Sequence, residues 1–78
     1  MKNTRAKRQK NISGPQIAAI RKKKGITQLD LAKTVKAQGV KLDRASIAKI
    51  ENGLRCVLDY ELAAIAKGCR VPVSRLLK

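Results

Sequence analysis

The chain has 78 residues, with 19 Lys+Arg against 5 Asp+Glu and no histidine, for a formal net charge of +14. That length holds one small domain burying ~60% of the surface its unfolded chain exposes, and so cationic a body repels itself unless an anionic partner relieves it. With no histidine, no carboxylate pair in a plausible pocket and no phosphate-cradling glycine loop, neither enzymatic activity nor a cofactor is expected. No apolar run approaches the ~20 residues of a spanning helix, and no secretory signal pattern follows the basic start. A cytoplasmic protein without membrane contact is expected.

In chain order, residues 1–13 (MKNTRAKRQKNIS) carry five cations, no acid and one large aliphatic, Ile12. Nothing there builds a packed face, which predicts a disordered basic arm, with the domain proper over 14–78. Gly14 can cap a first helix and Pro15 can open it, since proline there gives up an N–H that has no helical partner. Ile17 and Ile20 set the apolar face. Gly25 ends the helix after Arg21 to Lys24, cations suited to the negative end of its dipole. Thr27 can cap a second helix with Asp30 at its third position, and Leu31, Ala32 and Val35 form its amphipathic stripe. Gly39 breaks the period. Asp43 is expected to cap a third helix, Arg44 to Asn52, terminated by Gly53. Asp59 is expected to cap a fourth, with Leu62, Ile65 and Ala66 inside. VPVSRLL closes the chain as a short fifth helix or turn behind Pro72.

No strand signal or internal repeat appears, so the expected fold is all-α, a compact bundle of four to five short helices. Its core must be aliphatic, because Tyr60 is the only aromatic residue. Cys56 and Cys69 match no zinc-site spacing, so no metal site is expected. Buried free thiols are the ordinary reading for both.

The third helix bears on function. At 100° per residue Ile47 and Ile50 point one way, while Ala45, Lys49 and Asn52 cluster opposite with Ala48 beside them. Small residues on an outer face let a helix backbone approach a surface closely, as insertion into the ~12 Å major groove of DNA requires. Alanine is also simply a good helix former, and both readings of Ala45 and Ala48 stand. Arg44 and Ser46, near the helix N-terminus, can reach base edges or phosphates, and the free N–H groups there favour an anion.

ITQLDLAKTV, RASIAKIENG and DYELAAIAKGCRVPVSRLL, in that order, make the chain resemble the phage-repressor and Cro-like (lambda repressor-like) helix-turn-helix family over about Gly14 to Leu77. The resemblance implies a DNA-binding domain with the third helix in the major groove. It implies base reading by Arg44, Ala45 and Ser46, with Lys49 one turn on, and a backbone-phosphate contact from Gln28. Lys41, Asn52 and Arg55 are further phosphate candidates. It also implies an ion pair between Arg21 and Glu51, tying the first helix to the third. Within the expected arm, Arg5 and Arg8 are candidates for minor-groove insertion. Two departures stand out: the connection from Val35 to Arg44 is about two residues longer than the family turn, and Cys69 replaces the usual leucine.

The expected function is a sequence-specific regulator of transcription on double-stranded DNA, of repressor or Cro-like type, from a phage or mobile element. It would pair as a homodimer, on operator DNA if not before, with Val71 to Leu77 as the candidate contact surface. The alternative is the antitoxin of a toxin–antitoxin pair, which would add a small protein partner and repress its own promoter. A generic binder of RNA or anionic lipid is disfavoured, since one tyrosine builds no stacking platform and the apolar helix faces are committed to a core.

Overall fold

The computed structural model describes residues 12–77. Of the arm expected over residues 1–13, residues 1–11, including Arg5 and Arg8, lie outside the described residues, while Ser13 is buried against the domain. The fold runs α1 (Gly14–Lys23), α2 (Gln28–Ala37), α3 (Arg44–Glu51), α4 (Asp59–Cys69) and a short 3-10 turn (Val73–Leu76), with no strand among the described residues. Helix α2 packs against α3 and α4, α1 packs against α3, and the closing turn seats on α4 and α1. Ile17, Leu31, Val35, Ile47, Ile50, Ile65 and Leu76 are fully buried between them. Each contributes roughly 1.5–3 kcal/mol of apolar burial. Tyr60 takes no part in the core and lies exposed on α4.

Helix starts follow side-chain chemistry, with two corrections to the sequence reading. The Thr27 hydroxyl accepts the Asp30 N–H at 3.0 Å and the Asp30 carboxylate accepts the Thr27 N–H at 3.4 Å, a reciprocal cap on α2. Asp43 accepts the Ser46 N–H at 2.8 Å at the head of α3. For α1, the flanking residue is Ser13 rather than Gly14, its carbonyl accepting from Ile17 at 2.8 Å, and Pro15 is the second helical residue. Proline is tolerated there for the same reason as one place earlier. For α4, Leu58 holds the cap position and Asp59 is the first helical residue. Leucine offers no acceptor, so Glu61 reaches back and accepts the Leu58 N–H at 3.0 Å.

The long connection between α2 and α3 is absorbed by burial. Leu42 is fully buried and Val40 packs against the core, while the Gln38 amide donates to the Ala64 carbonyl of α4 at 2.9 Å. The turn is thereby anchored at both its beginning and its end. Cys69 is buried in the core, where desolvation pushes its thiol up, but Cys56 is exposed, which corrects the expectation of two buried thiols.

All four helices end in one manner. The second residue of the exit donates back five positions, as Ile26 does to Arg21, Val40 to Val35, Leu54 to Lys49 and Val71 to Ala66. That geometry needs a left-handed residue in the middle. Gly25, Gly39 and Gly53 fill it for the first three, whereas Arg70 does so for α4 at φ +61°. A side chain there sets Cβ against the following carbonyl, at roughly 1–2 kcal/mol. Arg70→Gly is expected to raise stability by about 1 kcal/mol and the melting temperature by several degrees. Thermal denaturation would check this, an unchanged or lower midpoint counting against the strain.

Candidate nucleic-acid interface

The interface is organised around Glu51, the last residue of α3. Its side chain is nearly buried and accepts three hydrogen bonds: from Arg21 Nε to Oε2 at 2.7 Å, from Arg21 Nη2 to Oε1 at 3.1 Å, and from Gln28 Nε2 to Oε1 at 3.0 Å. Arg21 also donates through Nη1 to the Ile26 carbonyl at 2.8 Å. One cluster therefore joins the end of α1, the turn after it, the first residue of α2 and the end of α3. Bidentate pairing of guanidinium with carboxylate is directional as well as strong, and it raises the Arg21 pKa, so this charge persists. Gln28 is half-buried, with one amide N–H committed to Glu51. The amide has a second N–H to offer an outside acceptor.

The two faces of α3 differ sharply. Ile47, Ile50 and Glu51 are buried, while Arg44, Ala45 and Lys49 are exposed and Ser46 and Ala48 half-buried. Asn52 follows, exposed, beyond the end of the helix. Alongside runs an open groove of about 850 Å³, whose lining includes Arg21, Lys22, Gln28, Leu29, Arg44 and Asn52. Gln28, Arg44 and Asn52, all DNA-contact candidates of the sequence reading, line this concavity. Lys22 was not singled out as a contact. It sits on the cationic run that ends α1, where the sequence alone does not tell a groove wall from ordinary solvated surface.

At the other end of α3, Lys41 lines a second groove of about 460 Å³ with Lys36 and Ser46. The lengthened turn places Lys41, and the last turn of α2 places Lys36, beside the first turn of α3. Asp43 lies among them, its carboxyl held below the usual range chiefly by the Ser46 backbone N–H. As a cap it is already committed to the helix.

Arg55, a further phosphate candidate, is also engaged within the fold. Its guanidinium donates to both oxygens of Glu61, at 2.9 and 3.0 Å, and to the Cys56 carbonyl at 2.9 Å. Its charge is paired with a carboxylate that is itself nearly buried, while its own side chain remains 34% exposed. The signal was weak in sequence because a six-residue separation across a turn matches no helical pairing.

A family model described as helix-turn-helix matches residues 17–76. No curated protein and no solved structure shows significant similarity to the chain. No helix among the described residues is long and apolar enough to cross a membrane.

Glu51→Gln would strand a buried guanidinium, at an expected loss of about 3 kcal/mol, read from the urea midpoint. A loss under about 1 kcal/mol would mean the cluster is relaxed by solvent. A second expectation concerns acid. The Arg55 hydrogen bonds hold the Glu61 carboxyl below its ordinary 4.5. Its contribution is therefore complete above that pH and is lost as pH falls through the lowered folded value. Glu61→Gln should make the acid limb of the stability–pH curve shallower than the parent's, and an identical limb would contradict the pairing.

Proposed function

Because the chain belongs to the helix-turn-helix family, we propose that it is a sequence-specific regulator of transcription, of repressor or Cro-like type, with α3 in the major groove of double-stranded DNA. The observation that carries the reading is the asymmetry of α3. Its inner side is spent on Ile47, Ile50 and Glu51, while Arg44, Ala45, Ser46 and Lys49 lie on the accessible side. Arg44 and Lys49 have the reach and charge to read guanine edges, and Ala45 lets the helix sit close to a thymine methyl. Gln28 and Asn52 on one flank and Lys41 on the other supply phosphate contacts that set register. The cations of residues 1–11, Arg5 and Arg8 among them, add electrostatic attraction along the duplex, with the minor groove as their target. Two copies occupy half-sites one helical turn apart, ~34 Å.

Selection of bound duplexes from a random pool tests this directly. The expected result is an enriched two-fold symmetric sequence; a pool that stays random after repeated rounds would overturn the reading. On the enriched site, Arg44→Ala or Lys49→Ala should cost ~1–3 kcal/mol and relax the preference at one position, whereas Gln28→Ala should weaken all duplexes alike. Removal of residues 1–11 should flatten the dependence of log affinity on log salt by about 0.9 for every phosphate those residues neutralise.

A further inference from the structure

We propose that Leu29, on the outward side of α2, reads the 5-methyl group of one thymine beside the base pair that Arg44 contacts. The inference rests on the DNA-binding reading above and adds to it a specificity-determining residue outside α3. Between Gly14 and Glu51, Leu29 is the one large apolar side chain left exposed among the described residues, at 50%. A single exposed leucine is ordinary, but this one stands among cations. It lines the large groove together with Gln28, Arg44 and Asn52. It also lines a smaller slot of about 230 Å³ between α2 and the head of α3, where Ala32 and Leu42 are buried and Lys33, Lys36 and Arg44 are exposed. Asp43, the acid of that slot, is committed to the α3 cap.

Charge and helical spacing select the occupant. Residues 29, 32, 33 and 36 share one face of α2, so Leu29 stands in line with two exposed lysines. An apolar protein surface laid on Leu29 would leave those cations uncompensated beside it, whereas a duplex neutralises them. Leu54 and Leu58 differ in this respect. They are exposed on a stretch where side chains alternate in and out with Arg55 and Val57, and between Lys49 and Lys67 the one cation, Arg55, is paired with Glu61. A leucine side chain has neither donor nor acceptor, so it offers nothing to a phosphate or to a polar base edge. The apolar group that base edges display in the major groove is the methyl of thymine.

The anchoring of α2 turns this contact into a readout. The reciprocal cap between Thr27 and Asp30 fixes the first turn of α2. Gln28, next to Leu29 in the chain, donates to Glu51 at the end of α3 at 3.0 Å. Leu29 is therefore held in register with α3 while taking no part in the core, and placing Arg44 on its base pair also places Leu29 on the neighbouring one. The discrimination is modest and confined to one position of the half-site, about fourfold, the worth of one buried methyl group.

The test uses the full chain and the duplex recovered by selection, with each thymine of a half-site replaced in turn by deoxyuridine, which lacks only the methyl. For the parent, one replacement, beside the pair whose preference Arg44→Ala relaxes, should weaken binding about fourfold. Leu29→Ala should bind thymine and deoxyuridine equally at that position, while any methyl effect that belongs to Ala45 persists. Leu29→Met, which keeps an apolar reach, should keep the discrimination. A 5-methylcytosine–guanine pair placed there should be preferred to cytosine–guanine by the parent and not by Leu29→Ala, which separates the methyl from the rest of the thymine ring. Each comparison is made within one variant, so a change in its stability does not enter the ratio. A selected half-site with no thymine at that position, or an equal deoxyuridine penalty in the parent and Leu29→Ala, would overturn the assignment while leaving recognition by α3 intact. So would a loss in Leu29→Ala that is the same on every duplex, which would seat the side chain against sugar or protein. A parent that enriches no sequence would instead overturn the reading it rests on.

Discussion

Everything that faces outward on α3 is held in place by the pairing of Arg21 with Glu51. Apart from Cys69 the core is aliphatic, and burial of isoleucine and leucine is strong but nearly non-directional. Such a core holds helices together without fixing their rotation or stagger to the precision that base contacts need. The Arg21–Glu51 fork supplies the direction. It fixes the end of α3 against the end of α1, and through Gln28 and the Ile26 carbonyl it includes the turn and the start of α2. A nearly buried pair adds little net stability against an apolar substitute, yet is costly to break from one side. Its value here lies in orientation.

The scarcity of acids has the same origin. Four of the five carboxylates have structural partners: Asp30 and Asp43 cap helices, Glu51 holds Arg21, and Glu61 holds Arg55 and the start of α4. The fifth, Asp59, sits in the first turn of α4, where the dipole favours a negative charge. Nearly all the negative charge is thus consumed in holding the fold. Most of the lysines along α1 to α3 stay exposed. The uncompensated positive field that a duplex would meet is left over from an economical use of acids.

Sequence legibility follows the locality of each signal. Thr27 with Asp30, Asp43 with Ser46, and the glycines after α1, α2 and α3 act within a few residues, and they could be read from the chain. Ile47 and Ile50 facing in and Ala45 and Lys49 facing out follow from one helical period. What escaped depends on contacts across turns or on departures from the usual residue. Leu58 stands where an oxygen-bearing cap is normal, so the start of α4 reads one residue late. The alternation that exposes Cys56 has period two in a segment with no strand to announce it. Leu42 looks like a loop residue until it is seen plugging the core below the long turn. The link from Gln28 to Glu51 spans 23 positions and has no local signature.

Under the proposed function, the shortness of α3 suits a helix that reads DNA. Eight residues are too few to hold together alone, since isolated helices below ~12–15 residues are marginal in water. Its order is borrowed from both ends and from beneath: the Asp43 cap, the exit through Gly53, and the inward anchors Ile47, Ile50 and Glu51. Of these side chains only that of Asp43 is exposed, and it is already committed to the cap. Positions 44, 45, 48 and 49 carry no core-filling or capping duty, so they can change with little effect on the fold. Structure and, under the proposed function, recognition are thereby assigned to different residues of one short helix. On that proposal a change of target sequence requires only a change of outward side chains, because the anchors that aim the helix stay the same.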